Sequence, residues 1–88
     1  MKVVFAKDAY DQYCYWKEND YKVFQKIDHL VKAIKVDPFK GIGKPEPLKE
    51  NLSGYWSRRI NQEHRLVYKV SGISPNQKLT IIQCKFHY

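Results

Sequence analysis

The spacing of apolar positions changes several times along the chain, and each change marks an element. Val3, Val4 and Phe5 follow Met1 as a short apolar run, the pattern of a strand. The period then becomes helical: Ala9, Tyr13 and Trp16 recur up to about Asp20, with Asp8 placed to cap the first turn. A second stripe, Phe24, Ile27, Leu30, Val31 and Ile34, begins near Asp20 or Tyr21 and carries lysines on its opposite side. It has to stop at Asp37-Pro38, because proline disfavours helical backbone in the residue before it.

From Pro38 to Pro47 the pattern breaks up into Gly41, Gly43, Lys44, Pro45, Glu46 and Pro47, which reads as a stiffened loop. Asn51, Ser53 and Gly54 mark a turn, and three strand-like segments follow: Tyr55 to Ile60, Arg65 to Val70 and Lys78 to Phe86. This order predicts the α+β class. Residues 1–88 form one small domain, in which an N-terminal strand and a three-stranded meander build a twisted, antiparallel-dominated sheet. The two helices pack as a hairpin on one face and leave the other open. On the last strand, alternation assigns Ile82, Cys84 and Phe86 to the core side and Gln83, Lys85 and His87 to the open side.

Charge narrows the partner. Sixteen Lys and Arg against nine Asp and Glu give a net charge of +7, which points to nucleic acid or another polyanion. No apolar run reaches membrane-spanning length, and the start reads as a strand rather than a signal peptide, so a cytoplasmic protein with no membrane partner is expected. Cys14 and Cys84 lack the density of a disulfide scaffold and the spacing of a zinc site. Two reduced thiols and no metal or other cofactor are expected. Gly41 and Gly43 do not fit a phosphate-binding loop.

The candidate chemistry gathers on the open face. The last strand delivers the His87 imidazole, then the Tyr88 phenol and the terminal carboxylate. Glu46 lies between two prolines and near Lys44 and Lys49, which favour an ionised proton acceptor. Arg65 opens one strand, and alternation lets only one of Arg58 and Arg59 share its face. RNA carries its own nucleophile, the ribose 2'-hydroxyl. A metal-free ribonuclease therefore needs a base, an acid for the departing 5'-oxygen, and cations for the charge that builds on phosphate.

The stretches Lys44-Pro45-Glu46-Pro47-Leu48-Lys49, Asn51 through Ile60, Glu63-His64-Arg65-Leu66-Val67-Tyr68 and the terminal His87-Tyr88 closely resemble the YoeB/Txe group of the RelE-like toxins. These are ribosome-dependent mRNA endonucleases of bacterial type II toxin-antitoxin pairs. The resemblance implies a RelE-like fold, with Glu46 as general base, His87 as general acid and Arg65 stabilising the phosphate transition state. It also implies that Lys49, Arg59 and Tyr88 orient the RNA backbone or stack a base, and Lys85 is expected as a further RNA contact. The implied partners are mRNA on the ribosome, ribosomal RNA and a small acidic antitoxin of the YefM/Axe kind, with homodimer formation left open. Two departures stand out. The usual Cys-Arg-Tyr-His-Tyr ending is Cys84-Lys85-Phe86-His87-Tyr88 here, and the turn Ser71 to Gln77 is longer than usual. Lys85 cannot make the planar two-pronged phosphate contact of arginine. A non-catalytic RNA- or ribosome-binding module and an inactive homologue that only binds an antitoxin are the alternatives.

Overall fold

The computed structural model describes residues 1–86. Chain order runs β1 (Lys2–Phe5), α1 (Lys7–Asn19), α2 (Tyr21–Val36), β2 (Glu46–Pro47), a 3-10 turn (Glu50–Leu52), β3 (Trp56–Arg59), β4 (Arg65–Ser71) and β5 (Lys78–Gln83). The sheet order is β1-β5-β4-β3-β2. Among the described residues only β1 against β5 is parallel, so the sheet is antiparallel-dominated as expected. Among the described residues no helix is long and apolar enough to cross a membrane.

Asp20 caps α2, accepting a hydrogen bond from the Val23 N–H at 3.4 Å, and the helix ends at Asp37 before Pro38. The α1 cap differs from expectation: Ala6 occupies it without a side-chain bond. Asp8 lies instead in the first turn, where its charge meets the positive end of the helix dipole. The two helices bury Ala9, Trp16, Val23, Ile27, Leu30 and Ile34 against Leu66 and Tyr68 of β4 and Leu79 and Ile81 of β5. Phe24 and Val31 sit at the margin of that stripe, half-buried.

The last strand departs most from simple alternation. Tyr68 pairs with Ile81 but Val67 pairs with Gln83, so Ile82 is an extra residue, a bulge that resets the side-chain parity. Leu79 and Ile81 therefore face the core, Ile82 is only partly buried, and Cys84 returns to the interior. The strand ends at Gln83, and Phe86 is exposed rather than in the core. Both cysteines are free thiols, and burial pushes that of Cys84 up to about 12.

The stiffened loop is less irregular than expected, because its end pairs as β2, with Glu46 opposite Ser57 and Pro47 opposite Trp56. Proline is tolerated there because β2 is an edge strand. Upstream, Gly43 has φ +83°, and a Cβ would lie 2.9 Å from Leu30 Cδ2 and 3.2 Å from the Arg59 carbonyl oxygen.

That loop is held by Arg58, which is fully buried. Its Nη2 donates to the carbonyls of Asp37 at 2.6 Å and Lys40 at 3.0 Å, and its Nη1 to Ile42 at 3.1 Å. Its Nε donates to the Tyr68 hydroxyl, which in turn donates to the Pro38 carbonyl at 2.6 Å. A buried guanidinium is tolerable when its donors are matched in this way. The Asp37 carbonyl belongs to the C-cap of α2, where the helix dipole favours a cation.

Candidate functional site

The open face of the sheet is ordered by cross-strand rows. Residues directly opposite one another project from the same side. One row runs Glu46, Ser57, Val67, Gln83 across β2, β3, β4 and β5. A second lies two residues along, where Arg59 is opposite Arg65 and the Arg65 N–H donates to the Phe86 carbonyl at 3.1 Å. Glu46 and Arg65 are thus two strands apart and offset by two residues, or about 12 Å between Cα atoms from standard strand spacings. Phe86, the last described residue, closes the second row beside Arg65.

The floor of this face is buried. Val67 is fully buried, Ser57 is 3% exposed, and Leu48 after β2 is buried too, although Val67 and Leu48 lie outside the main core cluster. Charges around such a floor interact more strongly than in open water. Arg59 and Glu46 are exposed at its edges, and Lys49 is exposed after β2. Glu46 makes no ion pair among the described residues. Arg65 is half-buried, and its Nη1 is folded over the β3–β4 turn, donating to the carbonyls of Asn61 at 2.8 Å, His64 at 3.1 Å and Gln62 at 3.2 Å.

The structure therefore places Glu46, Arg59 and Arg65 on one face and resolves the open choice at β3: Arg59 shares the Arg65 face and Arg58 is interior. Lys85 goes elsewhere. Its Nζ lies 3.5 Å from the centroid of the Tyr15 ring on α1, with Phe86 at 5.1 Å, instead of projecting alongside Arg65. The end of β5 at Gln83 explains this, because alternation places side chains only while the strand continues. His87 and Tyr88 lie outside the described residues.

One neighbour of the site was missed from sequence. His64, 7% exposed, accepts the Phe86 N–H on Nδ1 at 2.7 Å. The signal was available: His64 has the parity of Leu66 and Tyr68, both inward-facing on β4.

A small two-helix α+β domain with a basic, half-paved sheet face is the frame that comparison with known proteins then identifies. The model of the YoeB-like toxin of bacterial type II toxin-antitoxin systems matches residues 5–88. Toxin YoeB of a Synechocystis species is 54% identical over 100% of this chain and 98% of its own length. The solved YoeB/ParE toxin from Agrobacterium tumefaciens superposes with a TM-score of 0.98 at 50% identity, covering 100% of both chains. A Staphylococcus aureus toxin, solved in a heterotetrameric YoeB–YefM toxin-antitoxin complex, gives 0.88 at 47% identity over 100% of this chain and 98% of its own. The chain belongs to the YoeB toxin family of bacterial type II toxin-antitoxin systems.

Proposed function

We propose that this YoeB-type toxin is a ribosome-dependent mRNA endonuclease that blocks translation and needs no metal. The observation that carries the reading is the second cross-strand row: two cations, Arg59 and Arg65, lie directly opposite each other, with the attachment point of His87 beside them and Glu46 on the same face. In this reading Glu46 takes the proton of the ribose 2'-hydroxyl, whose oxygen forms a bond to phosphorus. The phosphorus–5'-oxygen bond breaks, and His87 donates a proton to the departing oxygen. Arg65 and Arg59 meet the charge on the phosphate oxygens. Lys49 and Tyr88 hold the RNA, and Lys85 meets the RNA backbone only if it leaves the Tyr15 ring. The products are a 2',3'-cyclic phosphate and a 5'-hydroxyl.

The partners in this reading are mRNA and ribosomal RNA, so the toxin acts in the cytoplasm. A small acidic antitoxin restrains it, as expected for a chain of net charge +7 whose Staphylococcus aureus relative was solved with YefM. The test is to incubate the protein with mRNA, with and without programmed ribosomes, and to map 5' ends. Cleavage is expected on ribosomes alone, and Glu46→Gln and His87→Ala should each slow it by about a hundredfold or more. A wild-type protein that binds ribosomes and leaves the mRNA intact would overturn the reading.

A further inference from the structure

His64 has no part in the proposed chemistry, yet it is among the most constrained side chains near the site. Its ring sits edge-on to Trp16, with centroids 4.7 Å apart, and against Phe86 at 5.6 Å. Its backbone is locked into the β3–β4 turn: the N–H donates to Asn61 Oδ1 at 2.7 Å, and the carbonyl accepts from the Ile60 N–H at 3.0 Å. A ring held this way has little freedom to turn its Nδ1 from the Phe86 N–H. Because Nδ1 accepts from a backbone donor, it must be unprotonated, and the proton of the neutral ring sits on Nε2, 3.7 Å from Glu63 Oε1.

The other half of the Phe86 peptide is also taken. Its carbonyl accepts from the Arg65 N–H at 3.1 Å and from Gln83 Nε2 at 3.3 Å. Phe86 has φ +66°, a left-handed conformation that a side-chain-bearing residue keeps only where its surroundings impose it. Two residues earlier, Cys84 is pinned to α1: its N–H donates to Gln12 Oε1 at 2.7 Å and its carbonyl accepts from Trp16 Nε1 at 2.8 Å. Trp16 thus grips the tail at Cys84 and packs the imidazole that grips it at Phe86.

We infer that His64 is a positioning residue: a neutral imidazole whose Nδ1 clamps the Phe86 peptide and so fixes the backbone from which His87 extends. The role rests on the reading of His87 as general acid. A general acid works only within hydrogen-bond reach of the leaving oxygen, and misplacement by about 1 Å is enough to slow a reaction severely. Anchoring residue 86 at both its N–H and its carbonyl limits that misplacement without any contact between His64 and RNA.

Two substitutions separate the acceptor from the ring. His64→Phe keeps an aromatic ring against Trp16 and removes the acceptor, and His64→Asn places an amide oxygen near the Nδ1 position with no ring. The readouts are single-turnover cleavage at saturating programmed ribosomes, ribosome binding, and amide hydrogen exchange at Phe86. In His64→Phe, exchange at Phe86 should become fast and cleavage should slow by about tenfold or more, with ribosome binding little changed. His64→Asn should recover part of both. Should His64→Phe fail to fold, His64→Gln replaces it, since its amide reaches the Nε2 rather than the Nδ1 position. Wild-type cleavage by the acceptor-free variant overturns the proposal, as does slowed cleavage with the Phe86 amide still protected. If the wild-type protein itself does not cleave, the endonuclease reading fails, and exchange at Phe86 alone decides whether the clamp exists.

Discussion

Arg58 and Arg59 are consecutive on one strand and chemically identical, yet the first is fully buried and the second exposed. The pleat turns them to opposite faces of the sheet, and the faces use the same cation differently. On the helix side, Arg58 is enclosed by three loop carbonyls and a tyrosine hydroxyl, so three of its N–H donors hold the loop that leads to Glu46 and a fourth engages Tyr68. On the open side, Arg59 faces Arg65 across the ladder and makes no ion pair among the described residues. One face consumes its charge internally to fix geometry. The other holds two like charges side by side, an arrangement that gains when a polyanion arrives.

Replacing Arg58 should break the first half of that contrast with the largest effect. Arg58→Ala removes the donors from the carbonyls of Asp37, Lys40 and Ile42 and leaves the Tyr68 hydroxyl short of a partner. Leaving the Tyr68 hydroxyl and these part-buried carbonyls short of a partner and opening the volume of the buried side chain should cost about 3–5 kcal/mol. Urea denaturation monitored by tryptophan fluorescence measures it. A loss below about 1 kcal/mol would mean that the carbonyl cage contributes no more than a surface contact.

The helix side also carries the pH response. Burial raises the Cys84 thiol from 9.0 to about 12, and burial with the Asp28 hydrogen bond raises the Tyr13 phenol. These groups ionise more readily in the unfolded chain. Their contribution is therefore fully present below about pH 9 and is lost as pH rises from about 9 towards 12. At pH 10.5 the Cys84 share should amount to about 2 kcal/mol. Melting temperature against pH should fall above pH 9, and less steeply in Cys84→Ala than in the wild type.

The same contrast explains what could be read from sequence. The helices were legible because their apolar spacing and the Asp37-Pro38 stop are local signals. Period-2 alternation on β3 allowed only one of Arg58 and Arg59 to share the Arg65 face, as the register bears out, but left open which of the two it is. Alternation failed where the strand gained a residue and where it stopped: the bulge leaves Ile82 only partly buried, and beyond the end of β5 at Gln83 Phe86 is exposed and Lys85 lies over Tyr15. Arg58 was left undecided because a charged residue in the interior contradicts its ordinary preference, and only the carbonyl cage, a tertiary feature, reverses it. His64 was readable by parity, but its bond to Phe86 joins residues 22 positions apart and has no local signature.

The smallest change in stability belongs to the open face. Arg59 is exposed and makes no ion pair among the described residues, so Arg59→Ala should alter stability by no more than about 0.5 kcal/mol. The substitution should even relieve the repulsion between Arg59 and Arg65, which stand directly opposite one another. Its effect should appear only with RNA present. If Arg59 meets one phosphate, binding to programmed ribosomes should weaken, and the slope of log affinity against log salt should become shallower by somewhat under one unit. Arg58→Ala, measured under conditions where it remains folded, should leave that slope unchanged. Equal slopes in wild type and Arg59→Ala would mean that adjacent arginines on opposite faces do not divide structure from RNA contact, and that the charge drawing RNA to this protein lies elsewhere.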